Sequence, residues 1–181
     1  MKVSFLYHKI QLPRLFHLLH GKEPALYEIL ITYLAASITS LFIYPNINQA
    51  TFSEFSKSIL LFLTLDLAGG LVANATATTA AFYSRNPNLR TVYLYLHILH
   101  PIVLVFLFPE DLFGITLISM LALASAFFFH LRRNLADRML RLALLLLAII
   151  LLTFLLPLHH VALQILLLLF FFKMQVSVLH K

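Results

Sequence analysis

Six apolar runs, over about 25–44, 58–83, 91–108, 112–131, 139–156 and 159–172, set the limits on what this chain can fold into. A run of about 20 apolar residues has the length of a helix that crosses a bilayer. Charged residues make up 11% of the 181-residue chain and hydrophobic residues 61%, against about 25% and 45–50% in soluble domains. The excess is arranged in blocks, and no connection between them is long enough for a soluble domain. The expected fold class is therefore all-α: a polytopic transmembrane helical bundle of six spans.

The basic residues test that reading. With the N-terminus inside, Lys2, Lys9, Arg14, Lys22, Arg85, Arg90, Arg132, Arg133, Arg138, Arg141, Lys173 and Lys181 all fall on the inner side, and only Lys57 lies outside. Such asymmetry is the positive-inside rule, which predicts an N-in/C-in arrangement in a cell membrane, multi-pass, of the bacterial cytoplasmic kind. The net charge of +6 is accounted for in this way, with the lipid bilayer as partner and no nucleic acid. The chain has no cysteine, which rules out disulfides and thiolate metal sites. Lys9, Arg14 and three histidines interrupt the stretch that a secretory signal would need.

Three segments are expected. Residues 1–22 form an N-terminal, cytoplasmic-side segment, with an amphipathic helix over 3–20 lying on the membrane surface and bent near Pro13. Residues 23–174 form the six-helix domain, and 175–181 a short tail. Tyr44-Pro45-Asn46 is expected to end the first span. Ser84-Arg85-Asn86-Pro87-Asn88 forms a turn, and Leu156-Pro157-Leu158-His159-His160 a tight connection. There is no internal repeat.

Polar groups inside the second and third runs mark the candidate site. An ionisable side chain in mid-membrane costs ~3 kcal/mol or more unless it is partnered, so Asp66 is a functional candidate. Asp66, Gly70, Asn74 and Thr78 follow one another at i+4 steps and share a helix face. In the third run, Tyr93, His97 and His100 fall at i, i+4 and i+7 on one face. Pro101 lacks an N–H, so the carbonyl of His97 is expected to lose its helical partner and the helix to kink. A short loop makes the two runs antiparallel neighbours, which brings Asn74 to the depth of His97 and His100 close to Asp66.

Asp66, His97 and His100 are read as catalytic, by acid–base work or as ligands of a divalent metal such as zinc; two imidazoles and a carboxylate form a known zinc set. Asn74, Tyr93 and Thr78 are read as orienting the substrate. The leading expectation is a membrane-embedded enzyme acting on a lipid or amphipathic substrate. A small proton- or ion-coupled transporter or channel, also as a homo-oligomer, is the rival. The bland alternative is an accessory subunit whose small and polar residues only pack helices. Glu28 is read as an interfacial acid with a basic partner, and His8, His17 and His20 as facing headgroups.

The stretch Asp66 to Asn74 is similar to the start of the CDP-alcohol phosphotransferase pattern. Asn74 stands where that pattern has Arg, however, and the later aspartates are missing, so two metal ions could not be held. The Gly-x-Ser-Gly motif of rhomboid proteases is absent. The ceramidase and lysoplasmalogenase groups share residue types but no motif, and no family is assigned on these grounds.

Overall fold

The structure, a computed structural model, describes residues 5–49, 52–131, 137–156 and 158–178. Helices take up 84% of it, and no strand is present among the described residues. The long helices are α2 (Leu26–Gln49), α3 (Glu54–Ala75), α7 (Leu112–Leu131), α8 (Asp137–Ile150) and α9 (Val161–Ser177). Shorter ones are α1 (His17–His20), α4 (Ala77–Arg85), α5 (Pro87–Leu96) and α6 (Leu99–Leu107). Four stretches are long and apolar enough to cross a membrane: Leu26–Asn48, Glu54–Ala75, Pro87–Leu107 and Pro109–Leu131. Leu140–Leu155, which includes a π turn over Leu151–Leu155, and Val161–Ser177 are shorter apolar helices.

Large apolar side chains stand on the surface, a pattern compatible with a membrane protein. Phe42, Phe62, Phe106, Phe113 and Phe154 are all exposed, where a water-facing protein keeps large apolar patches small. The interior is built around α9, which packs against α3 and α7. Phe170, Phe171, Leu166 and Met174 of α9 are fully buried with Leu67 of α3 and Ile118 and Ala122 of α7. The segment with the weakest claim to a span is thus the most enclosed helix, and it continues through Lys173 to Ser177 instead of stopping near residue 172.

Three local details depart from expectation. The first helix does not stop at Tyr44-Pro45-Asn46: Pro45 lies inside α2, one turn before its end, where losing one hydrogen bond is tolerated. The surface helix over 3–20 is replaced, among the described residues, by extended backbone. Ile10 N donates to Pro24 O, Leu26 N to His8 O and Tyr27 N to Leu6 O. This pairing draws residues 6–10 alongside 24–27, and only Arg14–Phe16 and His17–His20 wind into helical turns after Pro13. Third, the Asp66–Thr78 face is cut at Thr76, whose backbone is extended (φ −73°, ψ 149°). Its hydroxyl donates to Ala73 O (2.8 Å) and accepts from Thr79 N (3.4 Å), closing α3 and capping α4 with one side chain. Lys2, Arg132, Arg133, Pro157 and Lys181 lie outside the described residues, as do residues 3–4.

Candidate functional site

The site forms where α3 meets the α5–α6 junction. Because Pro101 cannot donate, the chain tightens at His97–Ile98: His97 N donates to Leu94 O, Ile98 N to Tyr95 O and His100 N to His97 O. The His97 carbonyl is therefore not the free acceptor that the sequence predicts; it takes the His100 amide (3.3 Å). This turn separates α5 from α6 and lays the two imidazoles over each other, with centroids 4.9 Å apart and planes within 10°.

Asp66 faces these rings. His100 Nε2 donates to Asp66 Oδ2 at 2.6 Å. The same oxygen accepts from Lys173 Nζ at 2.7 Å, and the Asp66 carbonyl accepts from that ammonium at 3.0 Å. Lys173 is 1% exposed, while the Asp66 side chain retains 36%. Gly70 makes this approach feasible: a Cβ there would lie 2.7 Å from Lys173 Nζ and against its Cε. Read from sequence as a topology signal at the end of the last span, Lys173 is the member of the cluster that sequence reasoning missed. The available signal was its setting, a lysine inside Phe170-Phe171-Phe172-Lys173-Met174.

His97 is fixed through its other nitrogen. Nδ1 donates to Tyr93 O at 2.7 Å, and the Tyr93 ring lies 4.1 Å from the imidazole. A carbonyl can only accept, so the proton sits on Nδ1 and the neutral ring carries its lone pair on Nε2. By the same logic, the bond to Asp66 leaves the His100 lone pair on Nδ1. Both nitrogens, His97 Nε2 and His100 Nδ1, are buried without a hydrogen-bond partner. Asn74 Nδ2 donates to Tyr93 Oη at 2.7 Å, linking α3 to α5 just beyond the rings.

A pocket of about 410 Å³ opens beside the cluster, lined by Asp66, Tyr93, His97 and His100. Its rim is apolar: Phe62, Leu96 and Leu99 are exposed and share the pocket wall. Asp66, His97 and His100 thus stand in the wall of a recess that is otherwise mostly apolar.

No protein-family model, curated protein or solved structure matches the chain. The site rests on its own geometry.

Asp66, His97 and His100 each offer one ligand atom, all within 4.8 Å of one another, so the donor set for a divalent metal is assembled. Zinc would need its nitrogen ligands at about 2.0–2.1 Å. The arrangement as it stands is the Asp66–Lys173 ion pair beside two imidazoles, each with one unpartnered nitrogen.

Thr78 does not join the cluster. Beyond the break at Thr76, its hydroxyl and its amide donate to Glu28 Oε2 (2.6 Å) and Oε1 (3.2 Å), and Ala25 N donates to Oε2 (3.0 Å). Glu28 is buried, and these donors take the place of the basic partner that sequence suggested. His20 is also buried, with the Tyr33 hydroxyl 3.4 Å from Nε2. Burial holds its pKa below the usual value, opposed in part by the nearby Glu28. His130 Nε2 lies 3.0 Å from Thr91 Oγ1, and His159 and His160 pair with Asp111 and Glu110.

Proposed function

We propose that the chain is a six-crossing membrane-embedded enzyme that acts on a lipid or other amphipathic substrate by acid–base chemistry at Asp66, His97 and His100. The observation that carries this reading is that Asp66, His97 and His100 line one recess with an apolar wall, with an unpartnered nitrogen on each imidazole just behind that wall. A substrate with an acyl chain keeps its tail among Phe62, Leu96 and Leu99 while its polar end meets the histidines. His97 Nε2 withdraws a proton from a hydroxyl or water. Asp66, bonded to both His100 and Lys173, offsets the charge when His100 takes up a proton. Asn74 and Tyr93 hold the face of the site rigid and orient the substrate.

The six crossings combine the four long stretches with Leu140–Leu155 and Val161–Ser177. At 1.5 Å per residue, a 16-residue helix spans about 24 Å, short of a ~30 Å core by an amount that local thinning absorbs. The distribution of basic residues supports an N-in and C-in topology, and the reading places the protein in a membrane of the bacterial cytoplasmic kind.

The test is turnover in a native lipid extract. Protein in nanodiscs is incubated and the lipids are followed by mass spectrometry, with His97→Gln, His100→Gln and Asp66→Asn alongside. One lipid class should be consumed, at a rate lowered about 100-fold or more in the histidine variants. Zinc content, measured on the same samples, separates the metal-assisted form of the reaction, in which Asp66→Ala and His100→Ala lose a stoichiometric ion. Lipid profiles identical to those of empty discs, with and without added zinc, would overturn the enzyme reading. The breaks in the helices at Thr76 and His97–Ile98 favour a second reading, proton-coupled transport, because interrupted helices surround the sites of many transporters. Proton flux into liposomes that is lost in Asp66→Asn would support it.

A further inference from the structure

A second recess, of about 480 Å³, lies between the N-terminal segment and α4. Lys9, Lys22 and Arg85 line it together with one acid, Glu23, giving it a formal charge of +2 from three cations and one carboxylate. Among the described residues no ion pair engages any of the three cations. The side chains of Thr78 and Asn86 stand in the same wall.

The cations come from distant parts of the sequence and are held there by a docked framework. Lys9 is placed by its bridge to Ala25. Lys22 follows Gly21, which has φ +74° and sits so close to α4 that a Cβ would meet the Thr78 carbonyl at 2.7 Å. Thr79 Oγ1 donates to Leu19 O (3.1 Å) and Tyr83 Oη to Leu18 O (2.7 Å), tying the strap to the helix that carries Arg85. Since α2 starts just after the strap and α4 ends at Arg85, the recess stands at one end of the apolar helices, the level of headgroups in a bilayer.

We infer that this recess binds a phosphate monoester group, whose charge of about −1.5 to −2 near neutral pH matches the lining, with Lys9, Lys22 and Arg85 as its cationic partners. The group belongs either to an anionic lipid headgroup or to a soluble phosphate compound. The inference is independent of the Asp66 site. A topology signal alone needs basic residues on one side of the membrane; it does not need three of them, from two segments, around one cavity.

Calorimetric titration of delipidated protein in a neutral detergent tests it, with dihexanoyl phosphatidate, inorganic phosphate and dihexanoyl phosphatidylcholine as probes. Phosphatidate should bind one per chain and phosphatidylcholine should not. Phosphate binding at the same stoichiometry assigns the site to the group itself; phosphatidate binding alone assigns it to a lipid. Lys22→Gln and Arg85→Gln should each weaken binding roughly tenfold or more, the loss of a charge-assisted contact. Arg14→Gln, which removes an exposed cation outside the recess, should leave it unchanged. Equal weakening by Arg14→Gln, or no saturable binding of either anionic probe, would overturn the assignment.

Discussion

The Asp66–Lys173 pair invites a double-substitution cycle with an asymmetric outcome. In Asp66→Leu, an ammonium 1% exposed keeps only the residue-66 carbonyl as acceptor. Removing one partner of a buried pair costs about 3–5 kcal/mol, and the enclosure of Lys173 puts this variant at the upper end. In Lys173→Met, Asp66 keeps His100 at 2.6 Å and a side chain that is 36% exposed, so the loss should be smaller, about 1.5–3 kcal/mol, the range for a lost hydrogen bond to a charged group. The double variant leaves no charge stranded in an apolar interior, and replacing a buried pair by apolar residues is often neutral or stabilising. It should therefore recover most of the loss, with a coupling of at least ~2 kcal/mol. The assay is reversible unfolding in mixed micelles, read by far-ultraviolet circular dichroism. Additive single effects, or Lys173→Met as the more damaging of the two, would refute the placement of Lys173 in the core.

Three further outcomes follow from the same geometry. Gly70→Ala should destabilise the protein by about 1–3 kcal/mol through overpacking against Lys173 and should lower the activity of the Asp66 site in parallel; in a Lys173→Met background the stability cost should shrink, and an unchanged cost would contradict the contact. Glu28→Ala strands the donors of Thr78 and Ala25 and should cost about 2–3 kcal/mol, with Glu28→Gln intermediate; equal, negligible losses on thermal unfolding would show that the carboxylate does not hold α4. His20 binds its proton less readily folded than unfolded, so the unfolded chain takes up more protons as pH falls below about 6.5 and stability declines in that window. In His20→Asn the decline from this group should vanish from melting curves recorded between pH 7 and 5.

The helical class and the second-to-third-run encounter were legible because both rest on short-range rules. Apolar run length fixes helix length, and a one-residue connection at Asn86 forces α4 and α5 to be neighbours, which carries His97 and His100 to Asp66. Pro101 announced the break, although not that the freed carbonyl would be satisfied within the same turn. What stayed hidden depends on long-range packing. Lys173 is 107 residues from Asp66, and nothing in one sequence says which helix the last one packs against. The N-terminal alternation of basic and apolar residues fits a surface helix as well as a paired strap; the backbone bonds to Pro24 and the fit of Gly21 on Thr78 decide it. Periodicity groups Thr78 with Asp66, and that periodicity ends where Thr76 turns its hydroxyl to the backbone.

The distance along the chain between Asp66 and Lys173 also has a temporal meaning. At 5–20 residues per second of synthesis, the lysine leaves the ribosome roughly 5–20 s after the aspartate. Through that interval, of the two groups bonded to the Asp66 carboxyl, only His100 has been made. The last helix therefore completes the charge balance of the core: only with its arrival does the Asp66 carboxylate meet the Lys173 ammonium.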